Sequence, residues 1–180
     1  MKRTIVVLLV LGLLALGTAG FAQGYYGSEY AKQAYQGARA QVGWVDPGDV
    51  DSTFTIGGSY IWQRALLSAD YFKSDVSDAP GVDARILSLE GSYLWRAKAD
   101  PGLYYGAGYG FADARMSGPG GSEHDSTGMW NIVVGKELNS RKEFGKPGVF
   151  VEGRYRFGTK LTFDLRGDIN GPSVVAGWRF

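Results

Sequence analysis

Between Val149 and Phe157 three charged residues, Glu152, Arg154 and Arg156, alternate with Val149, Val151, Gly153, Tyr155 and Phe157. A spacing of two puts the charges on one face of a β-strand and the apolar residues on the other. If such a strand crosses a membrane, each lipid-facing Arg or Lys costs about 2–4 kcal/mol. Reversing this one segment would then cost on the order of 5–10 kcal/mol, as much as an ordinary domain's whole stability. The charges are therefore expected to point inward, into a barrel that the strand helps to close.

The alternation recurs along the chain in segments of about ten residues separated by turn chemistry. A first strand is expected from Gly37 to Val45, with Arg39 and Gln41 opposite Ala38, Ala40, Val42 and Trp44. Asp46-Pro47-Gly48-Asp49 turns the chain into a second strand that carries Phe54, Ile56, Tyr60 and Trp62 on one face. A tight connection at Gln63-Arg64 leads to the third strand, Ala65 to Tyr71, and Ser74 to Asp83 is expected to be a loop. The fourth strand spans Leu87 to Trp95, and Asp100-Pro101-Gly102 turns into the fifth, Leu103 to Phe111. Arg115 to Ser126 reads as the longest polar loop, the sixth strand as Met129 to Leu138, and the seventh as Val149 to Phe157. After Gly158 to Asn170 the eighth strand runs to Phe180.

Eight is an even number, as single-chain bacterial barrels require, and the period and spacing match their sequence signature. The expected fold class is all-β: an eight-stranded antiparallel up-and-down transmembrane β-barrel. Its inward set is Arg39, Asp70, Glu90, Glu152, Arg154, Arg156 and Arg179, a lumenal network of both signs, because buried charges persist when paired. Trp44, Trp62, Tyr71, Trp95, Phe157 and Phe180 cluster at strand ends, where interfacial aromatic girdles belong. A soluble lipocalin-like carrier would have the opposite sense, with an apolar interior. The terminal Phe180 and the aromatic placement weigh against it, as does the lack of Lys among the outward strand centres.

The amino terminus carries Lys2 and Arg3, an apolar run from Ile5 to Gly17, and Gly20-Phe21-Ala22 as a small-x-small cleavage site. This pattern predicts a cleaved signal peptide over residues 1–22, too short in its apolar run to span a bilayer. Residues 23–36, with Tyr25, Tyr26, Tyr30 and Tyr35, read as an N-terminal extension, and 37–180 as the barrel. Removing Lys2 and Arg3 leaves 17 basic (19 − 2) against 18 acidic residues, a balance that argues against nucleic acid as a partner. The chain has no Cys and one His, so neither disulfides nor a metal or cofactor site is expected.

Tyr104-Tyr105-Gly106-Ala107-Gly108-Tyr109-Gly110-Phe111 and the closing Gly177-Trp178-Arg179-Phe180 resemble segments of the small outer-membrane β-barrel family that includes the OmpA transmembrane domain. The resemblance covers the pattern of the 37–180 region. It implies periplasmic termini, short turns on that side and longer loops outside, after the first, third, fifth and seventh strands. It also implies that Trp178 and Phe180 form a C-terminal assembly signal read by the barrel-assembly machinery, with outer-membrane lipid and lipopolysaccharide as further partners. The peptidoglycan-binding domain of OmpA is not expected here. The inward Gly106, Gly108 and Gly110 are read as room for the arginines opposite.

The function expected is structural or surface-interacting, with a filled lumen and no enzyme activity. A surface ligand would meet Arg115 to Ser126 and Gly158 to Asn170, and the sequence does not identify it. Eight strands enclose a bore that side chains just fill, which excludes a wide pore and leaves a narrow conduit for small apolar molecules as an alternative. A second alternative is a lipid A-modifying hydrolase: His124, Ser126 and Glu137 resemble the base, nucleophile and acid of outer-membrane deacylases. The sequence places His124 and Ser126 in a polar loop tip, which favours solvation over catalysis.

Overall fold

The computed structural model describes residues 36–76, 79–97, 100, 102–138, 147–160 and 168–180. Eight strands follow one another: β1 (Gln36–Val45), β2 (Thr53–Trp62), β3 (Ala65–Asp75), β4 (Asp83–Arg96), β5 (Leu103–Gly118), β6 (Gly121–Glu137), β7 (Gly148–Phe157) and β8 (Gly171–Arg179). Each pairs antiparallel with its sequence neighbours, and β8 returns to β1 with Ala40 opposite Trp178 and Trp44 opposite Val174. The sheet is a closed barrel, and above the closed section the Gly121–Met129 part of β6 pairs with β5 alone. The signal peptide and most of the N-terminal extension lie outside the described residues; Gln36 already pairs with Trp62 and opens β1.

Side-chain alternation sets the register. Arg39, Gln41, Asp70, Ser88, Glu90, Ser92, Asn131, Glu152, Arg154, Arg156 and Arg179 are buried inside. Phe54, Ile56, Leu67, Leu89, Phe111, Trp130, Tyr155 and Phe180 stand on the outer wall, Phe54 with 74% of its surface exposed. The outward aromatics gather towards the strand ends. Trp44 meets Phe54 edge-on at 5.1 Å between ring centroids, and Trp95 stacks on Tyr105 at 6.0 Å. A charged interior under an aromatic and aliphatic exterior is the sense of a barrel that uses hydrocarbon as its solvent.

Three sequence expectations are corrected. Arg115 to Ser126 is not a loop: β5 and β6 run through it as one long hairpin, with Gly118 opposite Gly121 and only Pro119-Gly120 in the turn. Gly121 takes φ of 131° there, a value side-chain-bearing residues rarely adopt. The loop read from Ser74 to Asp83 is likewise shorter, because β3 reaches Asp75 and β4 begins at Asp83 opposite it. The inward glycines of β5 do not make room for arginines. A Cβ at Gly108 or Gly110 would collide with the β4 backbone and with Ser92 or Glu90, so these glycines allow β4 and its side chains to lie close.

The extended hairpins bring a change of sense. Along β5 the outward positions pass from Tyr105, Ala107, Tyr109 and Phe111 to Asp113, Arg115 and Ser117. The inward positions pass from Gly106, Gly108 and Gly110 to Ala112, Ala114 and Met116. On β4, likewise, Leu87 and Leu89 give way outward to Arg85 and Asp83, while Ile86 and Ala84 are fully buried inside. Beyond Leu87 and Phe111 the wall is therefore built as a soluble barrel, apolar inside and polar outside.

Candidate functional site

Inside the apolar-walled section six ionic side chains form one alternating chain across the bore. Arg39 of β1 pairs with Glu152 of β7 at 3.3 Å, and Glu152 with Arg154 at 2.5 Å. Arg154 pairs with Asp70 of β3 at 2.6 Å, Asp70 with Arg156 at 2.8 Å, and Arg156 with Glu90 of β4 at 2.6 Å. Three positive and three negative charges balance. Such a group stays buried only when every charge has hydrogen-bonded partners, because desolvation otherwise exceeds the Coulombic gain. Neutral groups supply the remainder: Tyr104 donates its hydroxyl to Glu152 at 2.6 Å, Gln41 donates to Asp70 at 2.6 Å, and Asn131 donates to Glu90 at 2.8 Å. The Arg39 guanidinium also lies 3.3 Å above the Phe150 ring centroid.

Arg179, the seventh residue of the expected inward set, stands apart from this chain. It pairs with Glu137 of β6 at 3.2 Å, and Arg96 approaches the same carboxylate at 3.5 Å. Two apolar clusters flank the ionic layer. Ile61, Leu66, Leu94 and Val133 pack with Tyr104 near the rim where β1 begins and β8 ends. Phe72, Ile86, Ala114, Met116, Met129 and Ile169 pack at the opposite end. The bore is thus occupied by an apolar, an ionic and a second apolar layer. Each carboxylate of the ionic layer is held by arginine, which leaves none to serve as a base. Among the described residues no trio of His, Cys, Asp or Glu is arranged to hold a metal ion.

The three residues considered for hydrolysis are not brought together. His124 lies on the outer face of β6 beyond the apolar band, and its Nε2 donates to Asp113 Oδ1 of β5 at 2.5 Å. Ser126 faces outward two residues away, opposite Asp113 in register. Glu137 lies thirteen residues further along β6 on the inner face, about 43 Å from His124 at 3.3 Å per residue. Such a triad requires its acid to orient the His, and Glu137 does not reach His124, whose carboxylate partner is Asp113.

Sequence reasoning missed the apolar clusters and the outer polar wall. The signal was present: Ala112, Ala114 and Met116 alternate with Asp113, Arg115 and Ser117 in unbroken period two. Their chemistry is reversed relative to the preceding ten residues, so a search for outward aromatics stops at Phe111.

No protein-family profile matches the chain, and no curated protein does. Solved structures do. The crystal structure of Neisserial surface protein A superposes with a TM-score of 0.54 at 16% identity, covering 81% of this chain and 94% of that one. Ail, the attachment invasion locus protein of Yersinia pestis, aligns over 81% of this chain and 99% of its own at 16% identity, with a TM-score of 0.41. Closure in eight antiparallel strands, the apolar outer wall and the likeness to Neisserial surface protein A lead to one conclusion: the chain has the fold of the small outer-membrane transmembrane β-barrels.

Proposed function

We propose that the chain is an integral outer-membrane protein of a Gram-negative-type bacterium, exported through cleavage of residues 1–22, whose role is structural or surface-interacting and not enzymatic. One observation carries this reading. The outer wall is apolar over a band bounded by Leu87 and Phe111 and polar beyond it, and the interior reverses at the same level. A wall of that kind suits lipid below the boundary and water above it. The strands that continue past the boundary, β3 to β6, present a charged surface outside the membrane, where lipopolysaccharide and any surface ligand are met. Trp178 and Phe180, exposed at the rim where β8 ends, are the residues this reading gives to the assembly machinery.

Heat-modifiability tests the reading. Run boiled and unboiled on a denaturing gel, the outer-membrane fraction should give two bands of different mobility, as a detergent-resistant closed barrel does. A single unshifted band recovered from the soluble periplasm would contradict it and favour the carrier. The filled bore predicts no steady current across a planar bilayer, whereas a stable open conductance would favour a conduit. His124→Ala and Ser126→Ala should leave lipid A acylation in the membrane unchanged. Deleting Phe180 should reduce the folded fraction in cells and leave refolding of the purified protein into vesicles intact.

A further inference from the structure

Four basic residues from four consecutive strands stand opposite one another on the outer wall. Lys73 of β3 is paired in register with Arg85 of β4, Arg85 with Arg115 of β5, and Arg115 with His124 of β6. All four side chains are exposed. The two flanking members are engaged, Lys73 with Asp83 at 2.6 Å and His124 with Asp113 at 2.5 Å. The other acids at this level are Asp75, opposite Asp83, and Glu123 and Asp125, which flank His124 along β6. Among the described residues no carboxylate oxygen lies within 4.0 Å of Arg85 or Arg115, although the Arg85 charge reaches Asp83, two residues away on the same face. Like charges directly opposite on a sheet repel, with Cβ atoms about 4.5–5.5 Å apart. Two arginines so placed form a fork that an external anion can bridge with bidentate hydrogen bonds.

Their height selects the anion. Arg85 lies two residues beyond Leu87, about 7 Å along the strand, and Arg115 four residues beyond Phe111, about 13 Å. On the outer-membrane reading this is the level at which the headgroups of the outer leaflet would meet the wall. Lower on the wall, past Leu87 and Asp113, β2 to β5 carry a depression of about 590 Å³ in the apolar outer face. Gly58, Ala69 and Gly91 leave its floor low, and Tyr60, Tyr109 and Phe111 stand around it. A cationic fork above an apolar trough on one stretch of wall matches a molecule with phosphate at the top and acyl chains beneath.

We propose that Arg85 and Arg115 bind a phosphate of an outer-leaflet glycolipid whose acyl chain lies in the trough bounded by Tyr60, Tyr109 and Phe111. The proposal rests on the outer-membrane reading and names the lipid-contacting part of it. The full barrel in micelles is titrated with three probes: diphosphoryl lipid A, the same lipid with its phosphates removed, and inorganic phosphate. Wild type should bind the diphosphoryl form about tenfold more tightly than Arg85→Gln/Arg115→Gln does, the scale of a lost charge-assisted contact. Arg64→Gln, at the opposite rim, should bind like wild type. The dephosphorylated lipid should bind wild type and the double variant equally. Three results would overturn the proposal. One is equal binding of the two lipids by wild type, a comparison that does not depend on any variant folding. Another is inorganic phosphate competing as well as the lipid, which would make the fork a site for free anions. The third is an equal loss in Arg64→Gln, which would reduce it to general surface charge. Failure of the outer-membrane reading looks different, since wild type would then show no heat-shifted band.

Discussion

Glu152 is the residue on which the ionic chain turns: it is fully buried, pairs with both Arg39 and Arg154, and accepts the Tyr104 hydroxyl. Glu152→Gln removes a negative charge between two buried guanidinium groups. Unfolding in vesicles should register a loss of about 3–5 kcal/mol, the usual cost of orphaning a buried charge. Tyr104→Phe removes the hydrogen bond donated to Glu152 and the one accepted from Arg39, but these two charges keep each other, and it should cost about 1.5–3 kcal/mol. Equal effects would mean that packing, not charge balance, dominates the layer. On the outer wall the Lys73 ammonium hydrogen-bonds Asp83 and holds its carboxyl below the ordinary carboxylate value, against a smaller opposing effect of burial. A depressed carboxyl contributes stability above its unfolded value and loses it as pH falls through the folded one. The Lys73–Asp83 pair should therefore persist through neutral pH and open only in acid. Carboxyl chemical shifts followed through a pH titration check this: Lys73→Met should raise the Asp83 midpoint towards the ordinary range, with the Asp75 contact and the Arg85 charge still lowering it, and an unchanged midpoint would contradict the assignment. Which residues face inward is legible in the sequence from period two alone. Which partners they find is not, because Arg39 on β1 reaches Glu152 on β7 across β8, through a stagger fixed only when the barrel closes.

At the scale of strands and turns, the β2–β3 connection is the tightest on the rim where β1 begins and β8 ends. Trp62 pairs with Ala65, and Gln63 holds φ at 55°, where a residue other than Gly is disfavoured by about 1–2 kcal/mol. Gln63→Gly should therefore raise stability by up to about 1 kcal/mol, after the added freedom of the unfolded chain is subtracted. A drop in the unfolding midpoint would mean that the Gln63 side chain makes a contact worth more than the strain. The position of this turn is readable from the spacing of the flanking aromatics. The length of the β5–β6 hairpin is not readable in the same way. Gly118-Pro119-Gly120-Gly121 marks a turn, but Asp113, Arg115, His124 and Ser126 have the composition of a loop. They remain in strands because Ala112, Ala114 and Met116 behind them join a buried apolar cluster with Phe72, Ile86 and Met129. Tertiary packing outweighs local composition there.

For the whole molecule the decisive property is the boundary at which inside and outside exchange polarity. It makes the cost of a charge on the outer wall depend on depth. Leu89→Arg, within the apolar band, should lose about 2–4 kcal/mol on unfolding from vesicles, whereas Ser122→Arg, beyond it, should lose about 0–1 kcal/mol. The same boundary separates this barrel from a soluble carrier, whose outer wall would be polar from end to end. The most direct test uses the absence of native Cys. Single Cys residues are placed at Leu89, Phe111 and Ser122, spin-labelled, and read in vesicles for collision with dissolved oxygen and with a water-soluble nickel complex. Oxygen should dominate at 89 and 111 and nickel at 122, with the crossover on the rising strands between them. Nickel reaching 89 and 111 as readily as 122 would contradict a lipid-facing band and turn the barrel inside out.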